Sequence, residues 1–182
     1  KSKKKQKLTE ASNKRQPELE DSEGFNNERR PLVDPYRVGE KVVLSVSYFA
    51  ASAGKLTLAV KPFVEVNGKK SYNFLTEIKS SGLFSNFYSV QDQVETYLDY
   101  ENLSPYVFKL QIKESAQIKE AQSFFDQQSL KANYWEHKYT EKNGHEEKKL
   151  EWDLLPFSQN AFSSIFYMRV FKWNVGQEYT FR

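Results

Sequence analysis

The chain has 182 residues, of which 38% are hydrophobic, 15% aromatic and 28% charged, with a mean hydropathy of −0.75. That is material for one domain with a core of its own, and no apolar run approaches the roughly 18 residues of a membrane-spanning helix. Cysteine is absent, which excludes disulfides, thiolate metal sites, iron–sulfur clusters and a cysteine nucleophile, and two histidines and seven glycines leave little for a metalloenzyme or a phosphate loop.

Charge is unevenly placed. Residues 1–16 carry seven Lys/Arg and one acid, a sum of +6, so the remaining 20 basic and 23 acidic residues sum to −3. A body of that sign lacks the concentrated basic surface that counterion release needs, and its aromatics alternate with acids as often as with bases, so nucleic acid is not an expected partner. Residues 1–33 are polar, with Leu8, Leu19, Phe25 and Leu32 too scattered to form a face. They read as a disordered basic linker, the one route to a membrane surface. The chain opens on Lys1 without a signal-peptide apolar core, which fits a start after processing or at a cut boundary.

A single β domain is expected over 34–182. Val42, Leu44, Val46 and Tyr48 alternate as a strand, and Ala50-Ala51-Ser52-Ala53-Gly54 reads as a turn. Leu56 to Val66 continues, with Pro62 marking an edge or a bulge. Asn67-Gly68 is a hairpin signal, and Tyr72, Phe74, Thr76 and Ile78 form the return strand. Residues 83–88 read as an apolar loop or one helical turn. Strands follow around Val94–Leu98, Tyr106–Ile112, Lys119–Phe125 and Tyr134–Thr140. A second hairpin at Asn143-Gly144 leads back through Lys148–Leu154. Ser158 caps a short helix through Phe162, Ile165, Phe166 and Val170, near residues 158–171, and Glu178–Phe181 begins a last strand. The sum is all-β: an antiparallel, strongly curved sheet or partly open barrel of eight or more strands with one short helix.

Register in the 134–152 ribbon decides what each face carries. A two-residue Asn143-Gly144 turn places Trp135 opposite Trp152, His137 opposite Leu150 and Tyr139 opposite Lys148. Both tryptophans then share a face, and His137 and His145 fall on opposite faces, where they cannot share a metal. In the strand around 106–112 the same alternation puts Tyr106, Phe108, Leu110 and Ile112 on one buried face.

An ordered set of segments carries a family resemblance. Val38-Gly39-Glu40-Lys41 leads into Ser47–Gly54; then come Lys79–Gly82, Asp92–Glu95 with Tyr97–Asp99, Pro105-Tyr106, Phe124-Phe125-Asp126, Ala161–Arg169 and Val175-Gly176. The chain from about residue 36 to 182 resembles the bacterial family catalogued as domain of unknown function 3108. The resemblance implies an exported envelope protein of Gram-negative type, in the periplasm or at the outer membrane, without an established catalytic site. It also implies further strands after residues 175–181, which leaves the domain incomplete at its C-terminal end.

Candidate chemistry is sparse. Asp92, Glu95, Asp99 and Asp126 are the carboxylates a hydrolase would need, but the odd spacing of Asp92 and Asp99 separates them on a strand. Turn chemistry and ion pairs with Lys79, Lys109 or Lys113 are the plainer expectation. Ser80, Ser81, Ser163 and Ser164 lack a nucleophile elbow. Arg169, at the end of an apolar helix, suits the helix C-terminus or a bidentate contact with a carboxylate or lipid phosphate. Tyr72, Phe74, Tyr106 and Phe108 form an aromatic stripe, placed to fill a core or to line an apolar cavity. The expected function is non-catalytic: an envelope domain for protein interaction or envelope assembly. The alternative is a carrier or sensor of a lipid-like ligand, and a carboxylate hydrolase comes third. No cofactor or metal is implied. A cavity of several hundred Å³ with Arg169 at its mouth would favour the carrier.

Overall fold

A computed structural model describes residues 31, 33, 35–48, 51–171, 173–179 and 181. The basic segment expected as a linker lies, but for Pro31 and Val33, outside the described residues. Eight strands form one antiparallel sheet in sequence order: β1 (Lys41–Tyr48), β2 (Ala51–Val66), β3 (Lys69–Ser80), β4 (Gln91–Asp99), β5 (Pro105–Glu114), β6 (Gln117–Asp126), β7 (Lys131–Thr140) and β8 (Gly144–Asp153). A single helical turn, α1 (Gly82–Ser85), separates β3 from β4, and a short helix, α2 (Ala161–Tyr167), continues into a 3₁₀ turn over Met168–Val170. The sheet is an open meander: β1 and β8 are its edges. Residues 178, 179 and 181, the described part of the strand expected at 178–181, are not in a strand; Tyr179 and Phe181 pack on Phe171, at 4.6 and 5.7 Å between ring centroids.

Turn chemistry explains two of the hairpins. Asn67 and Gly68 have φ of 50° and 76°, both left-handed, and Val66 pairs with Lys69, which is the two-residue turn that matches strand twist. At the other end Gly144 is left-handed, with φ of 71°, and Asn143 is not among the residues of positive φ. The loop is therefore three residues, Glu141–Asn143, with Thr140 paired to Gly144 and Thr140 Oγ1 accepting the Asn143 N–H at 3.1 Å.

This overturns the expected register. Trp135 faces Lys149, Ala132 faces Trp152, and the two tryptophans lie on opposite faces. Charge supplies the reason. The two-residue register opposed Glu136 to Glu151 and Lys138 to Lys149. The observed one opposes Glu136 to Lys148, Lys138 to Glu146 and His137 to Glu147, so like charges become unlike ones.

Pro62 sits in a bulge, where the pairing shifts between Lys61 and Val64. Another bulge falls where Ala50–Gly54 was expected to turn. Residues 51–54 belong to β2, and the shift lies between Val46 and Ser47. A third displaces Tyr106, since Tyr97 pairs with Val107 and Leu98 with Pro105. Each bulge bends its strand.

Alternation assigns the two faces of the sheet. The core face carries Val60 of β2, Tyr72 and Phe74 of β3 and Leu98 of β4, covered by Tyr36, Leu103, Phe166, Tyr167, Val170 and Phe171. Phe74 is fully buried and stacks on Phe166 at 4.2 Å. Asn160, not Ser158, caps α2. Its side-chain oxygen accepts from Phe162 N at 3.0 Å and Ser163 N at 2.8 Å, and its amide donates to Thr96 Oγ1 at 3.0 Å. Asn160→Ala is expected to cost about 0.5–2 kcal/mol, as loss of such a cap does, read from the urea midpoint.

Candidate functional site

Covering is uneven along the core face. Over Val60, Tyr72, Phe74 and Leu98 of β2–β4 it is nearly complete, at 0–2% exposure. Between β5, β6 and β8 and the segment that follows β8 lies a cavity of about 470 Å³. Phe108 of β5, Phe125 of β6, Trp152 of β8 and Leu155 and Phe162 of the covering segment supply its apolar walls. Ser123, Ser158, Gln159 and Asn160 supply the polar ones, with Asp153 the one ionisable residue.

The covering segment is built for this position. Phe157 has φ of 60°, a left-handed backbone unusual for an aromatic residue, and its N–H donates to Gln127 Oε1 at 3.3 Å. Gln159 Nε2 donates to the Leu103 carbonyl at 3.0 Å and to the Phe157 carbonyl at 3.5 Å. Gln159 Oε1 is buried without a hydrogen-bond partner in the structure. Leu155 remains 58% exposed, so an apolar residue stands at the rim.

Of the five residues singled out from the sequence, Phe108 alone is on the cavity wall. Tyr72 and Phe74 are closed into the core, at 1% and 0% exposure. Tyr106 leaves the stripe at its bulge and donates its hydroxyl to Asp99 Oδ2. Burial, and then that hydrogen bond, push the Tyr106 hydroxyl well above the usual tyrosine range. Val107 rather than Tyr106 is the buried neighbour, and Phe108, Leu110 and Ile112 are half-buried.

Arg169 is away from the cavity wall. Its guanidinium makes a fork on Glu40, Nη1 to Oε1 at 2.6 Å and Nη2 to Oε2 at 3.1 Å, and Nη2 also donates to the Pro35 carbonyl at 2.5 Å. With Tyr36 donating to the Phe166 carbonyl at 2.9 Å, it ties the entry of the domain to the 3₁₀ turn.

The acidic residues each serve their own neighbourhood. Asp99 accepts from Glu101 N at 2.7 Å and Asn102 N at 2.9 Å; Asp126 accepts from Gln128 N at 2.8 Å and Ser129 Oγ at 2.7 Å. Those bonds, the Ser129 hydroxyl first, hold the Asp126 carboxyl below its usual range. Burial, then the nearby Glu114 carboxylate, pushes Asp92 up, but Asp92 is not on the cavity wall. Two of the three expected lysine partners are engaged elsewhere, and the third meets Asp92 through its backbone. Lys79 pairs with Glu77 at 3.5 Å, Lys109 Nζ donates to Tyr97 Oη at 3.2 Å, and Lys113 gives Asp92 its backbone N–H at 3.3 Å.

All four serines bond backbone atoms. Ser80 donates to the Val90 carbonyl at 3.5 Å, Ser81 to the Ser52 carbonyl, Ser163 to the Asn160 carbonyl at 3.1 Å and Ser164 to the Ala161 carbonyl at 2.8 Å.

The histidines correct a second expectation. The three-residue loop puts them on one face, with His137 Nε2 and His145 Nδ1 3.1 Å apart and their rings parallel. Among the described residues no group of three His, Cys, Asp or Glu side chains forms a metal site.

Sequence reasoning missed Phe125, Trp152, Leu155 and Gln159 as wall residues. The available signal was Leu154-Leu155-Pro156-Phe157, an apolar run at the expected end of the last hairpin strand.

The geometry defines a class: an open antiparallel meander whose core face is part core and part apolar cavity. The family model described as "Protein of unknown function (DUF3108)" matches residues 43–182, and the chain belongs to that family. No curated protein and no solved structure matches the chain significantly.

Proposed function

We propose that this is a non-catalytic binding domain that holds an apolar, lipid-like molecule under residues 154–162. The cavity carries the reading. Its 470 Å³ lies within the roughly 300–1,000 Å³ of small-molecule sites, and its walls are apolar with a few polar groups, the usual composition of such sites. The family resemblance supports an envelope setting, periplasm or outer membrane, which cell fractionation tests. The neutral dye N-phenylnaphthylamine provides the binding assay. We expect a saturable fluorescence rise with the wild-type chain and its loss in Ser123→Phe, which fills the cavity from the sheet. Unchanged dye binding in a folded Ser123→Phe variant would overturn the reading.

A protein partner is the second reading, favoured by β1. Val42, Val43, Leu44 and Val46 of this edge strand are 42–50% exposed. Such an edge is a template for strand addition. Cross-linking from position 43 to an envelope protein would support it.

A further inference from the structure

We infer that His137 and His145 form a two-imidazole site for a late first-row divalent cation, Cu²⁺ before Zn²⁺ or Ni²⁺, on the face of the sheet opposite the cavity. The register of the β7–β8 ribbon makes the site. It sets Tyr139 across from His145 and Glu147 across from His137, so the two histidines stand diagonally on adjacent strands. The face is the one that carries Trp135, since His137 is an odd number of positions from Ala132, whose partner Trp152 lines the cavity. His137 Nε2 and His145 Nδ1 are 3.1 Å apart. Two nitrogens with that separation, each about 2.0–2.1 Å from one ion, subtend about 95–102° at it, between the square-planar and tetrahedral angles. The spacing is thus the bite of a single ion.

Access and surroundings agree with this. His145 is exposed and His137 half-buried, so an ion reaches the pair from solvent. The rings are parallel, with one nitrogen facing the other. Turning both lone pairs toward one point takes a rotation about χ2, a broad torsion in histidine. Trp135 stacks with His137 at 6.4 Å and Tyr139 packs on His145 at 4.9 Å, which limits how far the rings stray. Imidazoles bind as neutral ligands and leave the charge of the ion unbalanced. Glu147 of β8 and Glu120 of β6, both exposed, stand directly across from His137 on its two sides and supply the opposite sign. Nitrogen donors select Cu²⁺, Ni²⁺ and Zn²⁺, whereas Mg²⁺ and Ca²⁺ take oxygen ligands. No third side chain among the described residues is in ligand position, so water or a ligand that arrives with the ion completes the coordination.

Trp135 reports the ion, because Cu²⁺ bound beside an indole quenches its fluorescence. With the full chain, free of any added histidine tag, we expect Cu²⁺ to quench saturably with a single-site midpoint, and Zn²⁺ to displace it at higher concentration. His137→Gln and His145→Gln should each raise the Cu²⁺ midpoint about tenfold or more, since the remaining imidazole binds without its chelating partner. Trp135→Phe should remove most of the saturable quenching while calorimetry still records the ion. Mg²⁺ at the same concentrations should displace nothing. His145 is exposed, so His145→Gln is a surface change, and it decides the matter if His137→Gln does not fold. Its binding of N-phenylnaphthylamine should match the wild type, so this site and the cavity stand or fall separately. Equal Cu²⁺ midpoints in the wild type and in His145→Gln would overturn the inference. Displacement of Cu²⁺ by Mg²⁺ as readily as by Zn²⁺ would overturn it too, because carboxylates rather than imidazoles would then hold the ion.

Discussion

Phe74→Ala is expected to cost about 3–5 kcal/mol, the range for deleting a fully buried aromatic ring. Phe74 has no exposed surface and meets three rings, Phe166 at 4.2 Å, Tyr36 at 4.8 Å and Tyr72 at 5.5 Å. These come from three separate parts of the chain, so the void cannot close by the shift of one element. A domain has about 5–15 kcal/mol in all, and this single loss takes a large share of it. Urea titration followed by tryptophan fluorescence measures the effect. Phe108→Ala is the control: Phe108 already borders the cavity and is half-buried, so its removal should cost less than that of Phe74 and act mainly on dye binding. Equal costs would show that the cavity is packed in solution.

Gly54→Ala is expected to cost about 1–3 kcal/mol, by overpacking rather than by cavity formation. A methyl group on Gly54 would stand 2.5 Å from the Lys79 carbonyl oxygen and 3.2 Å from Ser80 Cα. Both are backbone atoms of the neighbouring strand and cannot rotate away. The β2–β3 pairing would have to spread beside the bulge between Val46 and Ser47. Gly68→Ala separates this effect from backbone strain, because Gly68 has φ of 76° and open space around its missing side chain. A Gly54→Ala loss below a few tenths of a kcal/mol would show that the strands do not approach so closely.

These glycines also show how much was legible. Asn67-Gly68 was readable because both residues adopt the left-handed backbone that their side chains tolerate. Asn143-Gly144 looks the same in the sequence, but only its glycine turns left-handed, and unlike charges across the ribbon select the longer loop. Residues 51–54 looked like a turn because they are small. In the sheet, Gly54 is small because β3 passes close by. Strands and their order follow from alternation and short connections, which are local. The cavity depends on which residues after β8 fold back over β5, β6 and β8, and no periodicity reports that. Trp152 reached the cavity wall only because the loop is one residue longer than expected.

The order of the strands separates what can form early from what must form late. Every strand pairs with its neighbour in sequence, so the meander can zip up hairpin by hairpin as the chain lengthens. The aromatic core cannot. Phe74 lies against Tyr36 from before β1 and Phe166 from α2, and the Tyr36 hydroxyl bonds the Phe166 carbonyl across 130 residues. Until α2 and the 3₁₀ turn have been synthesised, Val60, Tyr72, Phe74 and Leu98 lack the cover of Phe166, Tyr167, Val170 and Phe171. The nascent domain is thus a formed ribbon with one partly covered apolar face. That is the stage at which it most needs a holdase, and the stage that a chain ending before residue 160 could never leave.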